Sequence, residues 1–207
     1  MQFDSIILDI DGTIWNTTQV VAEAWNKAIK EKYPQVKPVT AEILQGQFGK
    51  TMAVIAENLF SPLDQTQRQK LINKCCEYEH IAIKENKKNI TYPNVVSTIK
   101  ELSKKYKLFI VSNCQSGYIE LTMKKNNITQ YITDFECYGN TGNNKSDNIK
   151  LVIKRNALNS PVYVGDTQGD CEACKEAKIP FIWASYGFGT AETFLKKIET
   201  FDQLLKI

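Results

Sequence analysis

Residues 3–13 read FDSIILDIDGT, a short apolar run that ends in two aspartates and a glycine. The apolar residues 6–8 are typical of a β-strand that is buried on both faces, as in a parallel sheet covered by helices. Side chains alternate along a strand, so Asp9 and Asp11 are expected to point the same way. Taken alone, the same letters also suit an Asp-Gly turn in a hairpin.

A second buried strand is predicted at residues 108–111, and it ends in Ser112 and Asn113. The hydroxyl and amide groups of these two residues can donate hydrogen bonds to an anion. Further along the chain, Lys145 precedes a helix predicted over residues 148–156. A lysine in such a place is most often a solvated surface charge. Only its order among the other motifs suggests a functional role.

A third strand, predicted at residues 161–164, runs into the letters GDTQGD and places Asp166 and Asp170 beyond its end. Acid clusters without histidine suit a hard cation such as Mg²⁺ better than zinc. Open α/β sheets bind ligands at the carboxyl ends of their strands. The acids, the hydroxyl-amide pair and the lysine are therefore expected to share one crevice.

Taken in order, DIDGT, SN, Lys145 and GDTQGD resemble the four motifs of the haloacid dehalogenase-like (HAD) superfamily. Within it, the stretches YPNVVSTIKEL, LFIVSN, VYVGDTQGD and YGFG are most similar to the phosphoglycolate phosphatase and β-phosphoglucomutase branch. The resemblance implies an α/β fold: a Rossmann-like three-layer core with a mainly parallel sheet, plus an inserted α-helical cap.

The resemblance also implies catalytic roles. Asp9 would attack phosphorus and form an aspartyl-phosphate, as carboxylates can in covalent catalysis. Asp11 would protonate the leaving oxygen and then deprotonate water, which requires a raised pKa. A Mg²⁺ ion would be held by Asp9, the backbone carbonyl of Asp11, and Asp166, with Asp170 binding directly or through water.

The phosphoryl oxygens would be held near the same strand ends, where phosphoryl transfer needs electrostatic stabilisation. The residues that the resemblance assigns to phosphate binding or loop support are Gly12, Thr13, Ser112, Asn113 and Lys145.

Residues 17–89 break the strand rhythm and show apolar residues at helical spacing, with prolines between the runs. We therefore predict a helical insertion, which the resemblance implies is a cap domain over residues 16–91, with a core domain formed by residues 1–15 and 92–207. Lys50, in the stretch GQFGKT, is a candidate substrate contact, although a plain helix-helix turn explains that stretch slightly better. The stretch is not a P-loop, because Leu44 stands where the first glycine would be.

Composition is ordinary for a soluble globular protein, with 43% of the residues hydrophobic and a formal net charge of only +3. A cytoplasmic location is expected, because the N-terminus lacks a basic region and a cleavage pattern. We expect no nucleic-acid partner and no membrane span, a small phosphorylated metabolite as ligand, and a monomer or weak homodimer. The six cysteines are expected to be reduced thiols, with Cys171 and Cys174 packed as small helix residues.

Three functions follow from these expectations. The leading one is a phosphoric monoester hydrolase: a Mg²⁺-dependent phosphatase for phosphoglycolate, a sugar phosphate or a nucleotide. The second is a phosphosugar mutase, in which a sugar hydroxyl replaces water as acceptor because the closed cap excludes water. The third is a non-catalytic sensor of phosphorylated metabolites that has kept the crevice.

Overall fold

The computed structural model describes residues 3–207, which fold around a six-stranded parallel sheet. The strands are β1 (Ser5–Leu8), β2 (Lys107–Ser112), β3 (Ile132–Cys137), β4 (Pro161–Gly165), β5 (Phe181–Ala184) and β6 (Lys196–Ile198). The helices are α1 (Thr18–Lys32), α2 (Ala41–Gln45), α3 (Met52–Leu59), α4 (Gln65–Glu85), α5 (Val95–Leu102), α6 (Tyr118–Lys125), α7 (Tyr138–Thr141), α8 (Lys145–Arg155) and α9 (Gln168–Ala177). Across the sheet the strands follow the order β3-β2-β1-β4-β5-β6.

The central strand β1 sends its side chains into two hydrophobic cores on opposite faces of the sheet. Ile6 and Leu8 lie in one core, together with residues of α5 and α6. Ile7 lies in the other core, between Phe109 of β2 and Tyr163 of β4 and under residues of α8 and α9. Helices therefore cover both faces, which confirms the predicted three-layer α/β fold and its mainly parallel sheet.

Five helices lie between β1 and β2 in the chain, and the first four, α1 to α4, pack against one another. They share a hydrophobic interior, where the rings of Trp25 and Phe60 lie 6.3 Å apart between centroids. The two chain segments that connect these helices to the sheet run side by side, since the Asn16 N–H donates to the Ile90 carbonyl at 2.8 Å. The helical insertion is thus present, while the residue boundaries of the core and cap domains stay a prediction.

Helix α8 begins at Lys145 rather than at the predicted residue 148, because the Asn144 side chain caps it by accepting a 2.9 Å hydrogen bond from the Asp147 N–H. This capping places Lys145 in the first turn of the helix. None of the helices in the described part of the chain is long and apolar enough to cross a membrane.

All six cysteines are free thiols, as expected. Cys171 and Cys174 are buried in the core between α9 and the sheet, so they pack as small apolar residues.

Candidate active site

Asp9 and Asp166 follow neighbouring strands at the same edge of the sheet. β1 and β4 pair in parallel, and the pairing continues where the Asp9 N–H donates to the Val164 carbonyl at 2.9 Å. Asp170 lies in the first turn of α9, just beyond β4. The carboxylates of Asp9, Asp166 and Asp170 are buried and offer oxygens within 4.8 Å of one another. The topology of the sheet brings these predicted acids together.

Glycines allow the surrounding backbone to approach the acids closely. At Gly12, where φ is +84°, a Cβ atom would lie 2.1 Å from Oδ2 of Asp166. At Gly165 it would lie 2.6 Å from Cγ of Asp170, and at Gly187 it would lie 2.3 Å from Cβ of Asp166. Of the three, only Gly12 was singled out from the sequence. Gly187 belongs to the YGFG stretch, and nothing in the sequence around it indicates that it approaches the acid cluster.

Lys145 forms ion pairs with two of the acids. Its Nζ lies 2.9 Å from Oδ1 of Asp9 and 2.5 Å from Oδ1 of Asp170. The other oxygen of Asp170 accepts hydrogen bonds from the N–H and hydroxyl of Thr167, at 3.0 and 2.7 Å. Both oxygens of Asp170 are therefore already bonded within the protein, and that carboxylate is fixed in place.

Burial and mutual charge set the proton affinities of this cluster. Burial raises the pKa of Asp9 to about 6, with Asp170 adding to the effect and Lys145 opposing it. Burial, followed by the charges of Asp170 and Asp9, holds the pKa of Asp166 well above its ordinary value. Burial acts on Asp170 too, but Lys145 outweighs it and lowers that pKa. For Lys145, the two acids outweigh burial and raise the pKa.

This cluster is chemically suited to a divalent cation. Three buried carboxylates converge there, and Lys145 is the cation that pairs with two of them. Asp166 has no ion-pair partner among the described residues; its oxygens accept hydrogen bonds from the Phe188 N–H at 2.7 Å and the Thr13 hydroxyl at 3.5 Å. A bound cation would offset this excess of negative charge, and hard cations prefer such oxygen ligands.

Asp11 stands apart from the cluster and is held by three hydrogen bonds. Its Oδ1 accepts from the Tyr118 hydroxyl at 2.8 Å, the Thr17 hydroxyl at 3.0 Å and the Trp15 indole N–H at 3.1 Å. Burial raises the pKa of Asp11 to about 7, with the Tyr118 hydrogen bond opposing the rise and the charge of Asp9 adding to it. Near neutral pH this carboxyl therefore exists in both protonation states.

A cavity of about 20 Å³ lies where the helical segment faces the sheet. The predicted site residues that line it are Asp9, Asp11, Lys50, Ser112 and Asn113. The other lining residues are Phe48, Gly49, Met52, Ile55, Glu79, Cys114, Gln115 and Tyr118. A space of this size accommodates about one water molecule.

Contacts within the protein occupy some of the predicted phosphate ligands. The Lys50 ammonium donates to the Gly46 carbonyl at 3.0 Å and to Oε1 of Gln47 at 3.2 Å. The Asn113 amide donates to the Gly49 carbonyl at 2.8 Å, which ties the loop before α3 to the end of β2. Asn113 Oδ1 is buried and has no hydrogen-bond partner among the described residues.

Gly12 and Thr13 do not line the cavity; they lie beside the metal-type cluster, which is formed by the carboxylates of Asp9, Asp166 and Asp170. Thr13 is fully buried, and its hydroxyl lies 3.5 Å from Oδ1 of Asp166. The Thr13 carbonyl accepts a 2.8 Å hydrogen bond from the Tyr186 hydroxyl, which fixes the loop after β1. In this arrangement the Thr13 side chain supports the loop.

Glu79 and Tyr118 line the cavity, but they were not predicted from the sequence as site residues. Glu79 occupies the buried face of α4, in step with Ile72, Cys75 and Ile83. An acid on an otherwise apolar helix face was the available signal, because it costs free energy unless it has partners. Tyr118 has no comparable local signal, since it begins a helix whose first turn is unremarkable.

No curated protein sequence matches the chain. Among solved structures, a predicted phosphoglycolate phosphatase from Haemophilus somnus has 19% identity and a TM-score of 0.87, covering 100% of this chain and 98% of its own. CbbY from Rhodobacter sphaeroides, in complex with phosphate, has 16% identity and a TM-score of 0.80, covering 98% and 96%.

A haloacid dehalogenase-like family hydrolase from Streptococcus pneumoniae has 19% identity and a TM-score of 0.81, covering 99% of this chain and 97% of its own. At these identities the likeness shows a shared fold over the whole length. Residues 6–184 match the family described as Haloacid dehalogenase-like hydrolase, a range that runs from β1 to β5 and includes DIDGT, SN, Lys145 and GDTQGD. The chain therefore belongs to the haloacid dehalogenase-like hydrolase family.

Proposed function

We propose that this protein is a Mg²⁺-dependent phosphatase that hydrolyses a small phosphomonoester through an aspartyl-phosphate intermediate. The observation that carries the proposal is the position of Asp9, which is both a wall of the cavity and a member of the buried acid cluster with Lys145. Two of the solved structures support it by their descriptions, one as a predicted phosphoglycolate phosphatase and one as a complex with phosphate.

Asp9 is the nucleophile in this proposal. Burial raises its pKa to about 6, so the carboxylate is mostly ionised at neutral pH and retains nucleophilic character. The Lys145 ammonium, 2.9 Å from Oδ1, restrains the side chain and offsets the negative charge that gathers when a phosphate arrives.

Asp11 is the general acid and base. Its pKa of about 7 allows it to give a proton to the leaving oxygen and later to take one from water. The hydrogen bonds from Tyr118, Thr17 and Trp15 all end on Oδ1, so they orient the carboxyl group while Asp11 remains part of the cavity wall.

Asp9 and Asp166 would hold the Mg²⁺ ion, together with the backbone carbonyl of Asp11. Asp170, whose oxygens are bonded to Lys145 and Thr167, is better placed to act through water or by positioning Lys145. The ion would supply charge neutralisation that lets a phosphate approach the acids. Removal of the metal tests this assignment, because without the ion the three carboxylates have only Lys145 as a positive partner within residues 3–207.

The remaining phosphate contacts are assigned to the edge of the sheet. Ser112 and Asn113 line the cavity at the end of β2, and the unpaired Asn113 Oδ1 belongs to a side chain that is free to reorient when Gly49 moves away. Gly12 supplies close backbone approach after Asp11. Lys50 is available to a substrate once it leaves its local carbonyl partner.

The helical segment acts as a cap in this proposal. Residues 16–91 would form the cap domain, and residues 1–15 and 92–207 the core domain. The paired connections near Asn16 and Ile90 form a hinge, and the small cavity corresponds to a closed cap that shields the reaction from water.

Release of inorganic phosphate by the purified protein tests the function. A broad panel of phosphomonoesters, with Mg²⁺ and with a chelator, should give hydrolysis only when the metal is present. Asp9→Asn should reduce the rate by about a thousandfold or more, since it removes the nucleophile. Asp147→Asn, an exposed residue on α8, is the matched control and should retain the rate. Full activity in Asp9→Asn would end the proposal.

A phosphosugar mutase is the second candidate, and the size of the cavity is the observation that favours it. A space for about one water molecule leaves little water to compete with a sugar hydroxyl. Isomerised sugar phosphate with little free phosphate would identify the mutase. Tight Mg²⁺-dependent ligand binding without any turnover would identify a sensor instead.

A further inference from the structure

Glu79 is a buried acid that the proposed chemistry does not use. It lies on α4, in the helical segment, and only 3% of the residue is exposed. Its side chain is part of the wall of the same cavity as Asp9 and Asp11. Because the nucleophile and the general acid belong to the core side of that cavity, Glu79 faces the space left for the rest of the substrate.

Two donors hold the Glu79 carboxylate in place. The Trp25 indole N–H donates to Oε2 at 2.8 Å, and the Gln115 amide donates to Oε1 at 2.9 Å. Gln115 lines the cavity as well, and its Oε1 is a buried acceptor without a hydrogen-bond partner among the described residues. Each carboxylate oxygen can accept more than one hydrogen bond. The pair therefore offers acceptors to a ligand, and a buried acceptor without a partner is costly.

The charges around this end of the cavity oppose a second anion. The acids that line it are Asp9, Asp11 and Glu79, and the lining cation is Lys50. The Lys50 ammonium already donates to the Gly46 carbonyl and to Gln47. A carboxylate placed against Glu79 and Gln115 would meet an acid and a buried acceptor rather than donors, which is unfavourable in a buried space.

We propose that Glu79 and Gln115 select the alcohol half of the substrate: they accept hydrogen bonds from hydroxyl or ammonium groups and reject a carboxylate. This inference rests on the proposed phosphatase function and narrows its substrate class to monoesters of polyols, sugars or amino alcohols. Carboxylated esters such as phosphoglycolate are then poor substrates of this protein, although one structural relative is described as a predicted phosphoglycolate phosphatase.

The test uses pairs of esters that differ in one group. 2-Hydroxyethyl phosphate carries a hydroxymethyl group where phosphoglycolate carries a carboxylate. Glycerol 3-phosphate and 3-phosphoglycerate differ in the same way, and phosphoethanolamine supplies an ester with an ammonium group. With Mg²⁺ present, kcat/KM of the wild-type protein should favour the hydroxyl or ammonium ester by about tenfold or more in each pair. p-Nitrophenyl phosphate, which carries neither group, reports the chemistry of the site by itself.

Glu79→Gln keeps the shape and, at about pH 8, removes the charge of an acid whose pKa burial raises to about 7. It should shrink the preference by about tenfold, mainly by raising kcat/KM for the carboxylated esters. Glu77→Gln, the same change at an exposed position of α4 that pairs with Lys74, is the matched control and should leave the preference unchanged. An equal or reversed preference in the wild-type protein, or one that Glu79→Gln does not alter, overturns the inference.

Gln115→Met provides a second variant in case Glu79→Gln does not fold, since it removes only the unpaired acceptor and the amide donor. It should lower kcat/KM for the hydroxyl esters, chiefly through KM, and by more than it lowers kcat/KM for p-nitrophenyl phosphate. Unchanged KM values would contradict the inference. If no monoester, including p-nitrophenyl phosphate, is hydrolysed, the proposed function itself fails and the inference fails with it; hydrolysis without selectivity defeats the inference alone.

Discussion

The hydroxyl of Tyr118 lies 2.8 Å from Oδ1 of Asp11 and donates a hydrogen bond to it. Tyr118 begins α6 and is only 1% exposed, so water does not replace this donor. The bond favours the ionised form of Asp11, whereas burial favours the neutral form and raises the pKa to about 7. A helix of the core thus helps to set the proton affinity of the proposed acid and base.

Tyr118→Phe should shift the pH dependence of activity. Loss of a donor to the ionised carboxylate raises the pKa of Asp11 further, by about one unit for a hydrogen bond to a charged group. Since Asp11 must be protonated to act as the acid, the descending limb of the kcat profile should move to higher pH. Tyr131→Phe, at a position outside the cavity wall, should leave the profile in place. A limb that does not move in Tyr118→Phe would contradict this role.

Lys145→Met should destabilise the protein, because it leaves Asp9 and Asp170 buried without their cation. The expected loss in the free energy of unfolding is about 3–5 kcal/mol at neutral pH. The loss should become smaller as the pH falls: the folded-state pKa values of the unpaired acids then lie above their unfolded values, and protonation removes the buried charge.

Chemical denaturation at about pH 5 and about pH 8 measures both effects. The matched control is Lys150→Met on the same helix, which breaks only an exposed ion pair with Asp147 and should cost less than about 1 kcal/mol. Equal losses for the two variants would show that the buried ion pairs contribute no more to the free energy of unfolding than an exposed ion pair does.

Mg²⁺ should raise the melting temperature, and more so at about pH 8 than at about pH 5. Burial raises the pKa of Asp9 to about 6 and holds the pKa of Asp166 well above its ordinary value. Both carboxyls must lose their protons before they bind a cation, so affinity should rise with pH through this range. Asp166→Asn should abolish the increase, and Asp147→Asn should keep it; a metal response that survives in Asp166→Asn would place the ion elsewhere.

Gly187→Ala should be more damaging than Gly142→Ala. A Cβ at Gly187 would lie 2.3 Å from Cβ of Asp166 and 2.4 Å from the Gly12 carbonyl oxygen, so the metal-type cluster would have to move. At Gly142, where φ is +72°, nothing lies within 4 Å, and the cost is backbone strain of about 1 kcal/mol. We expect a loss of about 2 kcal/mol or more for Gly187→Ala together with reduced activity, measured by denaturation and by phosphate release. Similar behaviour of the two variants would contradict the close approach at Gly187.

The sequence by itself determined the fold class and the membership of the acid cluster. The buried strand patterns predict a parallel sheet, and such a sheet brings the carboxyl ends of its strands to one edge whatever the details of packing. Asp9 and Asp166 therefore had to meet once β1 and β4 became neighbours. The helical insertion was likewise visible where short continuous apolar runs give way to apolar residues at helical spacing.

Only the tertiary structure decided what surrounds that edge. Glu79, Tyr118 and Gly187 reach the site from α4, from α6 and from a loop near the end of the chain, and each position depends on how side chains pack across the chain. A periodic pattern specifies which face of a helix is buried, but it does not specify which partner covers that face. For that reason the acid on the apolar face of α4 could not reveal from the sequence that it meets Gln115 and the cavity beside Asp11.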